Sequence, residues 1–147
     1  MYTIGQISTM TKLPISTLRY YDKEGLFPNL KRSSGIRKFS KKEIEAIRII
    51  ECLKSSGLEI KDIKQFMSWT LQGNKTFKKR KDLFERQKKI VEQELESTKA
   101  ILNTIEYKCW YYEQAIENDS EDFINIIDIE QLPLSIQKEY DILHKLE

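Results

Sequence analysis

Arg19 and Tyr20 stand side by side in the run "ISTLRYYDKEGLFPNLKRSSGIRKF", Ile15 to Phe39, with Thr17 two residues earlier and Lys31, Arg32, Arg37 and Lys38 a short way beyond. Guanidinium, ammonium and hydroxyl groups in this density suit phosphate oxygens and the edges of bases. Long cations lose rotamer freedom when they are ordered, so crowding them points to a polyanionic partner. Catalytic chemistry has no comparable support: there is no glycine-rich phosphate loop, no paired His/Cys constellation and no metal-ligand spacing. The single histidine, His144, cannot replace soft thiolate ligands by itself. No cofactor and no metal are expected.

The charge is divided along the chain. Residues 1–76 carry 14 basic and 7 acidic groups, net +7, whereas residues 77–147 carry 11 and 16, net −5, although the whole 147-residue chain is only +2. The N-terminal half is the candidate polyanion binder. A third of the residues are charged, with five glycines and three prolines, a composition suited to long solvated helices. No apolar run reaches the roughly 18–20 residues of a membrane span, and "MYTIGQISTM" has no secretory pattern. A cytoplasmic protein without membrane contact is expected, with Cys52 and Cys109 as reduced thiols.

The elements that position these groups follow from caps and periodicity. Thr3 caps a first helix carrying Ile4 and Ile7, which breaks near Leu13-Pro14. Ser16 reads as the cap of a second helix from Thr17 to about Glu24, ending at Gly25, with Leu18 and Tyr21 inward and Thr17, Arg19 and Tyr20 outward. This is a helix-turn-helix. Pro28 then stops the helix, and a basic loop turning at Gly35 and containing two short strands forms a wing. Ser40 and Glu43 make a capping box opening a helix with Ile44, Ile47 and Leu53 at core spacing. A further helix from about Ile60 buries Ile63, Phe66 and Met67 and leaves Lys61 and Lys64 outside.

From Thr76 to about Glu117 neither proline nor glycine interrupts the chain. One heptad row reads Phe77, Phe84, Val91, Thr98, Ile105 and Tyr112; the other reads Lys81, Lys88, Leu95, Leu102, Cys109 and Ile116. A helix of this length cannot bury such a seam against so small a head, so a homodimeric coiled coil is expected. After Asn118 an acidic tail, with Pro133 before a weak helical pattern at Ile136, Tyr140 and Leu143, is too short for a ligand-binding domain.

Through "STLRYYDKEGLFP" and "SGIRKF" followed by a long helix, residues 2–118 resemble MerR-type transcription regulators. Phe39 stands where that family usually has tyrosine. Within it, "SGIRKFSKKEIEAIRIIECLKSSGLEI" and "LQGNKTFKKRKDLF" are most similar to the AdhR and NmlR subgroup, which the resemblance associates with reactive aldehydes and electrophile stress. The implied fold is mainly α: a winged helix-turn-helix DNA-binding head at 1–75, a long coiled-coil dimerisation helix at 76–118, antiparallel in the dimer, and a short acidic tail at 119–147. The implied function is a sequence-specific regulator whose dimer distorts double-stranded promoter DNA so that RNA polymerase engages it.

Expected DNA-binding residues are Ser16, Thr17, Arg19, Tyr20, Lys31, Arg32, Arg37, Lys38, Lys61 and Lys64. Thr17 and Arg19 are assigned to base edges, and Tyr20 and Arg37 to phosphates. Packing between helix and wing is the competing role for both tyrosines, and a solvated loop that for the basic residues. The expected dimer seam comprises Phe84, Val91, Leu95, Leu102, Ile105, Cys109, Tyr112 and Ile116. Cys52 is the candidate sensor: Arg48 one turn earlier would favour its thiolate, against the alternative that it fills the core beside Ile49 and Leu53. Cys109, among Trp110, Tyr111 and Tyr112, is expected to pack, with an aromatic ligand pocket as the weaker option. Metal sensing fits poorly, because the family's metal sensors hold thiolates after the dimer helix and residues 118–147 contain no cysteine. The other readings are a simple repressor, a sensor of a noncovalent ligand, and a coiled-coil adaptor with a basic head for RNA or membrane surfaces.

Overall fold

The structure is a computed structural model that describes residues 1–144. The His144 side chain and residues 145–147 of the expected tail lie outside the description. Two compact units are present, Met1–Lys89 and Ile90–Glu147.

The first unit begins with α1 (Ile4–Thr11), opened by a Thr3/Gln6 capping box. Helix α2 (Ile15–Lys23) starts one residue after Pro14, and this corrects the expected cap. Proline at φ −57° and ψ 144° sets the helix entry by itself, and Ser16 falls inside the first turn without a capping bond. Termination falls where expected: Glu24 closes the helix and Gly25 turns away at φ 77°. An added Cβ there would meet Lys64 Nζ at 3.2 Å.

The basic segment is an antiparallel hairpin, β1 (Lys31–Ser33) and β2 (Ile36–Lys38), with Lys31 opposite Lys38 and Arg32 opposite Arg37. Ser34 and Gly35 both take positive φ, as a two-residue hairpin turn matching the strand twist requires. Reciprocal backbone bonds between Tyr2 and Phe39 fasten the hairpin's end to the N-terminus.

Helix α3 (Lys41–Ser55) opens with the expected Ser40/Glu43 box, and α4 (Ile60–Leu71) follows after Gly57. One core joins these elements: Ile7, Leu18, Tyr21, Phe27, Phe39, Ile47, Ile50 and Ile63 are buried in it. Tyr21, Phe27 and Phe39 form a chain of edge-on ring contacts. The Phe39 ring is fully buried.

Helix α5 (Phe77–Asn118) runs for 42 residues. Its first turns belong to the head, where Leu83 joins the core and Phe84 stacks edge-on against Phe66. Every residue from 90 to 103 is exposed.

In the second unit the tail is folded. Short 3-10 turns lead to α6 (Leu134–His144), and Phe123 packs against the Trp110 and Tyr111 rings. Thr104 donates to the buried Glu139 carboxylate. Tyr111 donates to Glu121, a bond that pushes its hydroxyl up to about 12. Thr104, Tyr107 and Tyr111, at i, i+3 and i+7, form the covered face of α5. Leu102, Ile105, Cys109, Tyr112 and Ile116 lie on the opposite face and remain exposed. Among the described residues no helix is long and apolar enough to cross a membrane.

Candidate nucleic-acid interface

Leu18 and Tyr21 are the inward anchors of α2 and leave Arg19 and Tyr20 on its outer side, with Tyr20 45% exposed. Ser16 is exposed and Thr17 half-buried on the same helix. Tyr21 therefore packs, whereas Tyr20 remains exposed to solvent. The Tyr21 hydroxyl donates to Glu51 and accepts from Lys54 Nζ at 2.7 Å, and that ammonium also lies over the ring. Burial, followed by the bond to Glu51, raises the Tyr21 pKa.

The two short strands expected in the basic segment carry all four wing cations. Lys31 and Arg32 are exposed on β1, while Arg37 and Lys38 are half-buried on β2. The signal that sequence reasoning missed is Asp22, whose Oδ2 accepts from Arg32 Nη2 at 2.6 Å and from Arg37 Nε at 2.7 Å. Nothing in the local pattern gives this contact away, because it forms only when the hairpin folds over the helix. Lys64 is exposed on α4 near Gly25, and exposed Lys61 pairs with Glu59 at 3.1 Å. Lys31, Lys38, Lys42 and Lys64 also border a groove of about 750 Å³ floored by Leu26 and Met67. The outer face of α2, the ribbon and the lysine-bordered groove all belong to the Met1–Lys89 unit. Their donors suit a phosphate backbone, with α2 presenting side chains of the kind that read base edges.

Cys52 is exposed, and its neighbour Ile49 is 43% exposed. The alternative of a core-filling cysteine is thereby overturned: α3 turns Ile47, Ile50 and Leu53 inward on one face, and Cys52 lies on the other side of the helix. The Arg48 guanidinium, one turn before Cys52, pairs with Glu45 at 2.7 Å. Ser55 and Ser56 donate to the Cys52 backbone carbonyl rather than to the thiol. Cys109 is also exposed, because Trp110 and Tyr111 turn toward Phe123 instead of around it. Among the described residues no group of three or more His, Cys, Asp and Glu side chains could hold a metal ion.

A basic ribbon beside the second helix of a helix-turn-helix defines the winged helix-turn-helix class. Residues 2–69 match the model of the MerR HTH family of regulatory proteins. An uncharacterised HTH-type transcriptional regulator of Haemophilus influenzae is 36% identical over 133 residues, 90% of this chain and 96% of the relative. The HTH-type transcriptional regulator AdhR of Bacillus subtilis is 36% identical over 90 residues, 59% of this chain and 64% of AdhR. The crystal structure of HiNmlR, a MerR family regulator lacking the sensor domain and bound to promoter DNA, is similar with a TM-score of 0.64 and 35% identity. That match covers 90% of this chain and 96% of the solved one. The chain belongs to the MerR family, and is a DNA-binding transcription regulator of that type.

Proposed function

We propose that the protein acts as a homodimer on a pseudo-palindromic promoter, bending and untwisting it so that RNA polymerase can engage both promoter elements. The observation that carries this reading is the joint exposure of Arg19 and Tyr20 on α2 beside the Lys31–Lys38 ribbon. In it, Thr17 and Arg19 read bases, while Tyr20 and Arg37 hold phosphates. Ser16, Lys31, Arg32, Lys38, Lys61 and Lys64 supply the remaining backbone contacts. DNA bending on this scale costs about 1–6 kcal/mol, so a small change in dimer geometry switches the promoter. The protein works in the cytoplasm, where the promoter is.

Functionally the chain divides into the head at 1–75, the dimerisation helix at 76–118 and the acidic tail at 119–147. Support for the dimer comes from α5: Val91, Leu95, Leu102, Ile105, Tyr112 and Ile116 are all exposed, and the tail packs on the opposite face. An apolar stripe of this length in water calls for a second helix, here an antiparallel copy. Selecting duplexes from a random pool with the purified protein tests the reading. Enrichment of an inverted repeat is expected, and enrichment of single half-sites, or of RNA over DNA, would overturn it.

Electrophile sensing through Cys52 is the second part of the proposal. Cys52 is exposed on α3 between Glu51 and Lys54, the two residues that hold Tyr21 of α2. The resemblance to the AdhR and NmlR subgroup, in keeping with 36% identity to AdhR over 90 residues, is what brings electrophile sensing into the proposal.

A further inference from the structure

Asp22 is a carboxylate in the most basic part of the chain, beside groups that the proposed function sends to phosphate. Its side chain is 10% exposed, whereas those of its partners Arg32 and Arg37 retain 48% and 26%. The arginines face each other directly across the hairpin, an arrangement in which like charges repel. A single oxygen, Asp22 Oδ2, takes a donor from each.

From this geometry we propose that Asp22 is a positioning residue for DNA binding: it aligns the paired wing arginines toward phosphate and so raises DNA affinity, although its own charge opposes DNA. The inference rests on the regulator reading above. Arg37 donates to Asp22 through Nε, so this contact does not use its two terminal Nη groups. Those are the groups that form the bidentate fork toward a phosphate. An arginine held before encounter loses less conformational freedom on binding than one that must be ordered by the DNA. Asp22 also follows Arg19 and Tyr20 on α2, so the same carboxylate fixes the ribbon against the helix that carries the proposed base and phosphate contacts.

The sign of the effect separates this role from simple charge. Asp22→Asn removes one negative charge from the head, and electrostatics alone would tighten DNA binding. Positioning requires the reverse. Wild type, Asp22→Asn, Asp22→Glu and the Arg32→Ala/Arg37→Ala pair, with and without Asp22→Asn, are titrated against a mixed-sequence DNA duplex over a salt series. Thermal unfolding is followed alongside. For Asp22→Asn, affinity falls about tenfold and the salt slope becomes shallower by about one unit. Asp22→Glu, which keeps the carboxylate, recovers most of the affinity. In the background lacking both arginines Asp22→Asn has little further effect, because the groups it positions are gone. Equal or tighter binding by Asp22→Asn, or an undiminished loss in the arginine-free background such as general unfolding would cause, overturns the proposal. Failure of the wild type to bind duplex at all would instead refute the regulator reading.

Discussion

Arg19 and Arg37 carry the same charge but sit in different settings. Arg19 projects from the exposed side of α2, whereas Arg37 is half-buried on β2 and tethered to Asp22. Their substitutions should therefore fail in different ways. Arg37→Ala is expected to weaken specific and nonspecific duplex alike and to make the salt slope shallower by about one unit, the loss of one phosphate contact, as read by titration over a salt series. An unchanged slope would remove Arg37 from the phosphate contacts. Arg19→Ala should cost about 1–3 kcal/mol on the preferred site and much less on scrambled DNA, if the proposed base contact is what it removes. Equal losses on the two duplexes would refute base reading. The cations and tyrosines at this scale were legible in the sequence, since residue type and local helical spacing suffice to place Leu18 and Tyr21 inside and Arg19 and Tyr20 outside. Asp22 and the Glu51/Lys54 pair on Tyr21 were not, because each joins residues ten or more positions apart through tertiary folding.

Elements are specified more locally, and their ends can be tested one at a time. Ser40 Oγ accepts from the Lys42 amide, while Glu43 returns a carboxylate to the Ser40 amide at 2.7 Å. Removing the hydroxyl by Ser40→Ala should destabilise the head by about 1 kcal/mol in chemical denaturation. Burial pushes the Glu43 pKa up, but hydrogen bonds from the Ser40 hydroxyl and amide outweigh it and hold the group below the ordinary carboxylate range. A lowered folded pKa contributes stability that is present above the unfolded value and is lost as pH falls through the folded one. Glu43→Gln should accordingly reduce stability at neutral pH and flatten its loss between neutral and strongly acidic pH; a profile parallel to wild type would exclude this source. The Ser40/Glu43 box and the Thr3 cap were readable because such motifs span only four residues, whereas the return bond from Gln6 to Thr3 appears only in the structure. The start of α2 was not, since Pro14 and Ser16 each offer a plausible entry and only the backbone decides between them. The weak helical pattern after Pro133 is α6, but the packing of the tail escaped for another reason: Phe123 lies in a single 3-10 turn, and its partners Trp110 and Tyr111 are reached by tertiary contact, which leaves no periodic signature.

On the scale of the whole molecule, the exposed seam of α5 and the two thiols connect assembly to response. Placing aspartates at Leu95 and Leu102 puts charges where a partner helix would desolvate them, so the double variant should sediment as a monomer and lose palindromic DNA. A persistent dimer would locate the interface elsewhere. Response to an electrophile is a separate demand, because an inducer must stabilise one protein–DNA geometry over another. Cys52 is placed to do this without lying in the proposed interface. Glu51 and Lys54 flank it in sequence and hold the Tyr21 hydroxyl, so an adduct that shifts the α3 surface would bear on the helix carrying Arg19 and Tyr20. Cys109 lies instead on the proposed seam, where a bulky adduct would oppose dimerisation and DNA binding together. Cys52→Ser should thus keep promoter affinity, since serine fills nearly the same exposed position, yet abolish transcriptional activation by aldehydes or quinones; Cys109→Ser should retain most of that activation. Transcription in vitro with intact-mass analysis of each variant decides the matter. Full induction of Cys52→Ser, or an adduct confined to Cys109, would remove Cys52 from the sensing mechanism.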